Sequence, residues 1–451
     1  MTARYSSLKP SKNKFNGQIP THWNDVPIRS VCKFKSVQNN VGEELLSVFL
    51  DRGVVRYSDT SGKQVHKPSE DMSKYQLVEP RDIVLNNQQA WRGSVGVSQY
   101  RGIVSPAYIV MSLDESINDR FVNYMIRNQA CVAQFVLASK GVGSIQRILS
   151  PTKLKSSYFT LPSREEQDQI VRYLDWKISQ INKQINLNKK QIALLKELNK
   201  QYISNLVFGK TSNAPMKKIT DIPWLNYVPE HWQRVRNKNI LSPIKTLVGD
   251  KSKEFQLLSL TTRGIIIRNI ESGKGKFPSD FSTYQIVKKG NLVFCLFDID
   301  ETPRTVGLSE LEGMITGAYD TFEVHNAMPE FLYYYYLSVD NIKALKPYYT
   351  GLRKVIKQDV FMRIPIYLPS NEEQEIIVCQ INQNEKNIKN LIEKFDRQIE
   401  QLNDIKKKII FDAITGKIDV RNVEIPAYES CEENGVEESM FDDELETSEV
   451  D

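Results

Sequence analysis

The chain has 451 residues, 40% hydrophobic and 25% charged, with a formal net charge of +5. That length allows two or three domains with real cores, and the composition is that of a globular protein. No apolar run reaches membrane-span length, the N-terminus (Thr2, Arg4, Ser6, Ser7, Lys9) is too polar for a signal peptide, and five scattered cysteines (Cys32, Cys131, Cys295, Cys379, Cys431) suggest reduced cytoplasmic thiols rather than a disulfide framework or zinc site.

In chain order, the sequence reads as a module (1–162), a long helix (163–210), a second module (211–369), a second long helix (370–418) and an acidic tail (419–451). The first module opens with Ile19-Pro-Thr-His-Trp23 and the second with Val228-Pro-Glu-His-Trp232. Leu45-Leu46-Ser47 before Arg52-Gly53 is echoed by Leu257-Leu258-Ser259 before Arg263-Gly264, and Tyr75–Val78 by Tyr284–Val287. Strand-like runs follow in both, Ile83–Leu85 and Leu292–Phe294, with further β-branched runs at Val54-Val55, Ile109-Val110 and Ile265–Ile267. Helices are expected at 118–138 and 328–346, where the cluster Tyr333–Tyr336 reads as packing rather than base stacking. One α+β unit is therefore duplicated, with loops that have diverged.

Each module leads into Leu-Pro-Ser-x-Glu-Glu-Gln, at 161–167 and 368–374. Ser163 with Glu166, and Ser370 with Glu373, have capping-box spacing. An unbroken heptad follows in each copy. Leu174, Ile178, Ile181, Ile185, Ile192 and Leu195 line the first; Ile388, Ile392, Phe395, Ile399, Leu402 and Ile409 line the second. Asn188, Asn199, Glu385 and Lys406 are its polar exceptions. Two matched apolar stripes, each on a helix on the order of 65 Å long, are expected to pair with each other. Gly209 and Gly416 are placed to close the two helices in the left-handed conformation. Gly209-Lys-Thr211 is not a phosphate loop, because Ser204 stands where that motif requires glycine.

Charge is unevenly distributed. After Arg421 there is no Lys or Arg, while residues 427–451 hold eleven Asp and Glu, so the body alone carries +16. A basic body implies a polyanionic partner, most often nucleic acid. The tail is expected to be disordered and solvated, and its sign suits it to shield the body from nonspecific nucleic acid.

Enzyme chemistry finds little support. No Asn-Pro-Pro-aromatic or Asp-Pro-Pro-aromatic motif for amino methylation occurs, nor any Glu-x-Lys of the common metal-dependent nucleases. His22, His66, His231 and His325 are dispersed, and no metal-ligand cluster stands out. His22 and His231 sit at repeat-equivalent places beside Trp and read as structural.

Through the paired His-Trp openings, the segments Ile145–Leu161 and Leu352–Leu368, and above all the doubled Leu-Pro-Ser-x-Glu-Glu-Gln, the chain resembles the specificity (S) subunit of type I restriction–modification systems. The resemblance covers nearly everything except the acidic tail. It implies two target-recognition domains and two long helices pairing antiparallel as a coiled coil, with an internal pseudo-twofold. Helix direction comes from the resemblance, since the heptads alone do not fix it.

The resemblance also implies a non-catalytic subunit that binds double-stranded DNA and two modification (methyltransferase) subunits, with restriction (translocase and nuclease) subunits added. S-adenosylmethionine would then belong to the modification subunit, ATP and Mg²⁺ to the restriction subunit, and no cofactor to this chain. The DNA site would be split and asymmetric, with adenine as the methylated base. A coiled-coil protein-binding scaffold and a self-sufficient DNA-modifying enzyme are the alternative readings.

Arg or Lys on guanine and Asn or Gln on adenine are the favoured major-groove pairings. The densest candidate is Asn86, Asn87, Gln88, Gln89, Trp91 and Arg92, which is equally readable as a polar solvated loop. In the second module the equivalent Phe297–Arg304 is acidic; Asp298 or Asp300 suits cytosine but reads better as a turn acid, and Arg304 is the basic candidate. Arg263, Arg268, Lys274 and Lys276 suit phosphates, as do Arg147, Arg353 and Lys354 just before the long helices.

Overall fold

The computed structural model describes residues 4–50, 52–60, 68–141, 147–268 and 281–433. Two compact units emerge. Unit 1 takes the described residues of Met1–Leu187 and Gln398–Asn434; unit 2 takes those of Asn188–Arg397. Each unit therefore holds one module with part of both long helices.

The modules share one plan. In unit 1 an antiparallel four-stranded sheet runs in the order Cys32–Lys35, Tyr108–Leu113, Ile83–Asn86, Val95–Val97. In unit 2 the order is Leu241–Ile244, Asp320–Val324, Leu292–Phe294, Val306–Leu308. The expected central strands are fully apolar because both of their faces are covered. Ile83 and Leu85 enter the main core, while Val84 enters a smaller one with Leu46, Val48 and Val54. Leu292 and Phe294 likewise face the main core of unit 2, and Val293 faces Leu258 and Leu260. Alternation along a strand dictates this split, and each such side chain contributes about 1.5–3 kcal/mol on burial. The hairpins Leu46–Phe49 with Gly53–Arg56, and Leu258–Thr261 with Gly264–Ile267, form the second layer.

The helix expected over 118–138 is two helices, Asp119–Ile126 and Gln129–Ala138. The break falls at Asn128, whose Oδ1 accepts from Ala130 N at 2.9 Å and so caps the second. Its counterpart in unit 2 is one helix, Pro329–Asn341, with Tyr334, Tyr335 and Tyr336 buried in the core.

The long helices span Arg164–Val207 and Asn371–Ile414. Within each unit they pair antiparallel. In unit 1 Lys406 Nζ donates to Asn182 Oδ1 at 2.9 Å, and in unit 2 Asn384 Nδ2 donates to Asn199 Oδ1 at 2.8 Å. Leu174, Ile181 and Ile185 are buried; Ile178, Ile192, Leu195, Ile388, Ile392, Phe395, Ile399, Leu402 and Ile409 are half-buried. Both helices end in a Schellman motif. Gly209 and Gly416 each take φ of 69°, and Lys210 N and Lys417 N reach back to Asn205 O and Asp412 O.

Residues 419–433 do not begin a disordered tail. Val420 is fully buried in the core of unit 1, with Val423 and Ile425 packed against it. From there a strap follows the first long helix, in the same direction, from Gln169 to Asn186. Gln169 Nε2 donates to the carbonyls of Val420 and Val423 (3.0 and 2.8 Å), Ser179 Oγ to that of Glu429 (2.9 Å), and Asn182 Nδ2 to that of Cys431 (3.0 Å). Lys406 Nζ closes it on Glu433 at 3.0 Å. The acidic residues beyond it, 434–451, lie outside the described residues.

Candidate nucleic-acid interface

Each module is anchored to the helix ends by its His-Trp motif. In unit 1 the Glu166 carboxylate, at the start of the first helix, accepts from Tyr5 OH (2.6 Å), Trp23 Nε1 (3.1 Å) and His22 Nε2 (2.8 Å). Pro20 and Trp23 also lie over Gly416, where a Cβ would meet Pro20 Cδ at 2.3 Å, so no side chain fits. Unit 2 repeats the arrangement. Glu373 accepts from Trp232 Nε1 (3.1 Å) and His231 Nε2 (2.8 Å), and Pro229 covers Gly209. The expected capping boxes are thus half made. Ser163 Oγ and Ser370 Oγ accept from the backbone of Glu166 and Glu373, but the two carboxylates serve the motif instead of the caps. A helix N-terminus favours the negative charge held there. The signal for this latch, missed in the sequence, was the nearly equal separation of His-Trp and Glu-Glu-Gln in the two copies, 144 residues from His22 to Glu166 and 142 from His231 to Glu373.

In the first module the amide-rich loop follows the strand Ile83–Asn86 and closes in a short 3₁₀ turn, Ala90–Arg92, ending at Gly93 with φ of 105°. Asn86 Oδ1 accepts from Gln88 N (3.0 Å), and Trp91 Nε1 donates to Gln88 O (2.8 Å). The Arg92 guanidinium lies 4.7 Å from the Trp91 ring centre and that of Arg147 lies 5.4 Å from it. The segment carrying Arg147 is pinned beside the loop by Leu149 N, which donates to Asn87 O at 3.0 Å. The fold thus gathers around the Trp91 indole two arginines that are 55 residues apart in sequence, Arg92 and Arg147. Gln88 and Arg92 are exposed; Asn86, Asn87, Gln89, Trp91 and Arg147 are half-buried. Guanidiniums held beside an indole are of the residue type that suits guanine or phosphate.

The second module presents different chemistry. Arg263 is exposed at its hairpin turn, and Arg268 is half-buried. Lys274 and Lys276 lie outside the described residues. Two candidates need correction. Arg304 turns inward, with Nη2 donating to Thr262 O at 3.4 Å and Nε and Nη1 buried without a hydrogen-bond partner. Lys354 is half-buried and paired with Glu301 (3.1 Å) and Asp300 (3.4 Å), while Arg353 beside it is exposed. Asp300 also accepts from Tyr349 OH at 3.1 Å, so it is a bonded turn acid, as expected.

Among the described residues no group of three or more His, Cys, Asp or Glu is arranged to hold a metal ion, and no helix is long and apolar enough to cross a membrane. All five cysteines are free; burial pushes the Cys32 thiol up to about 12 and the Cys295 thiol up to about 11.

No family model matches the chain. It is 25% identical over 389 residues to the type I restriction enzyme MjaVIII specificity subunit of Methanocaldococcus jannaschii, covering 78% of this chain and 84% of that one. It is 26% identical over 377 residues to the putative type I restriction enzyme MjaX specificity subunit of the same organism, covering 78% and 81%. A solved chain from work on complex assembly and conformational transition of the type I R-M system matches with a TM-score of 0.54 at 14% identity, covering 89% of this chain and 99% of that one. That match shows a shared fold. The resemblance to type I specificity subunits extends over most of the chain.

Proposed function

We propose that this chain is the DNA sequence-recognition subunit of a type I restriction–modification complex. It binds a bipartite, asymmetric site, one half per module, and positions two modification subunits for adenine methylation. The observation that carries this reading is the duplication itself: one sheet order and one latch occur twice, under loops of different chemistry. The first loop carries amides and two guanidiniums beside an indole; the second module carries Arg263 exposed at its hairpin turn and Arg353 exposed next to Lys354, which pairs with an acid. Scaffolds of one plan with different contact surfaces read different half-sites.

On this reading the chain carries no catalysis and no cofactor of its own. S-adenosylmethionine belongs to the modification subunits, and ATP and Mg²⁺ to added restriction subunits. The outward helix residues Lys183, Gln184 and Lys190 are exposed and offer the modification subunits a polar docking face.

The helix pair acts as the ruler. Equivalent groove faces recur every 34–36 Å or so, so a fixed pair of readers demands a fixed gap. Removing one heptad from each helix shortens the pair by roughly 10 Å, about three base pairs. Sequencing of modified adenines in cells expressing the chain with its methylase is expected to show two unchanged half-sites around a shorter gap. An unchanged gap overturns the ruler. Absence of any split methylated motif with the intact chain overturns the function.

A further inference from the structure

One loop of the second module is stiffer than a surface loop needs to be. Thr350 and Val355 exchange both backbone hydrogen bonds, at 3.0 and 3.1 Å. Gly351 and Lys354 turn the chain with φ of 77° and 46°. Beneath the turn, Lys354 is tied to Asp300 and Glu301, and Asp298 N donates to Arg353 O at 3.0 Å. Ile356, one residue past the hairpin, is buried in the core. A tip held on both sides in this way cannot fold back onto its own module.

Yet the residue at the tip is Leu352, fully exposed and more so than any other large hydrophobic among the described residues. A leucine held out in water contributes nothing to folding, since the unfolded chain exposes it equally. It has no donor or acceptor, so it cannot read hydrogen-bonding edges; it gains only by burial against apolar surface. DNA offers such surface in two places, the thymine methyl and the faces of partly unstacked bases. Arg353, exposed beside it, supplies the charge that draws the tip to a phosphate backbone. The repeat points the same way. Leu352-Arg353-Lys354 aligns in sequence with Ile145-Gln146-Arg147. Ile145 and Gln146 lie outside the described residues, but Arg147 of that loop sits on Trp91 in the first module's candidate interface.

The geometry points to Leu352 as an apolar base contact in the second half-site, a role that rests on the DNA-recognition reading above. The side chain is a specificity element, and the ion-paired base of the hairpin is its positioning device.

The test uses the full chain assembled with its modification subunits and a duplex carrying the site mapped by methylation sequencing. Leu352→Ala is expected to weaken binding about tenfold, while Leu352→Met stays within about twofold of the parent. The slope of affinity against salt and the preference at the first half-site stay unchanged, because no charge is removed. Two substitutions in the DNA separate the surfaces. Replacing the contacted thymine by uracil weakens the parent but not Leu352→Ala if the methyl is the target. A 2-aminopurine placed at each step of the second half-site brightens with the parent, and not with Leu352→Ala, if the side chain enters the stack. Because Leu352 is fully exposed among the described residues, folding of the variants is not in question, and a matching melting temperature checks it. The inference is overturned if Leu352→Ala binds as the parent does, if it loses affinity equally on nonspecific DNA, or if affinity falls with neither DNA signature. A parent complex that shows no site preference overturns the recognition reading itself, and this inference with it.

Discussion

Glu166 offers two carboxylate oxygens to two buried donors, Tyr5 and Trp23, and to the exposed His22, and its counterpart Glu373 offers the same two oxygens to two. The Tyr5 phenol is held well above its ordinary value, first by burial and then by its bond to Glu166. Removing the carboxylate strands the buried Tyr5 and Trp23 without an acceptor at a site only 5% exposed, while water can take its place on the exposed His22, at a cost of roughly 2–4 kcal/mol. Glu373 is more exposed, so its loss costs about 1 kcal/mol. Urea unfolding of the isolated chain is expected to rank Glu166→Ala well below Glu373→Ala in midpoint, and equal losses would refute the latch as described. Loop residues follow different rules. The repeat spacing marked where the first module's candidates lie, because Asn86–Arg92 follows a strand with clear boundaries. It said nothing about orientation. Arg304 and Lys354 look like surface cations in sequence; Thr262, Asp300 and Glu301, from other parts of the module, turn them inward or neutralise them.

Among elements, the helix pair shows why an imperfect heptad is informative. Its polar exceptions make cross-element bonds, among them Asn199 with Asn384, Lys406 with Asn182, and Glu385 with Tyr334. A register slip would break the two bonds that run between the long helices, and a purely apolar seam tolerates slips more easily, so polar breaks specify alignment. The heptads and glycine caps were legible because local pattern alone determines them. The strap was not. Its composition is that of a disordered tail, and what holds it are its own backbone carbonyls, which leave no periodic trace. A chain ended at Lys417 loses the burial of Val420, Val423 and Ile425, worth about 3 kcal/mol, while one ended at Glu433 loses none of it. Hydrogen exchange is expected to show lost protection in the unit 1 part of the helices for the first truncation only. Equal protection in both would mean that the strap holds nothing.

At the scale of the molecule, a body carrying +16 ahead of its acidic end has the sign that attracts a polyanion. Counterion release makes the affinity of a DNA reader fall about a thousandfold or more between roughly 50 and 200 mM salt. The assembled protein is expected to follow that slope on its mapped site, whereas a shallow slope would favour a protein-binding scaffold. The described residues of unit 2 all fall in one stretch, Asn188–Arg397, whereas those of unit 1 come from Met1–Leu187 and from Gln398–Asn434. On the ribosome, the lobe made first therefore waits longest. Trp23 and Pro20 have no Gly416 to cover, and the core lacks Ala413, Ile414 and Val420, until the last helix emerges some 10–45 s later at ordinary elongation rates. The lobe begun second closes before the one begun first. During that interval the nascent chain exposes an unfinished apolar socket, which makes it a natural client for chaperones and a target for premature cleavage.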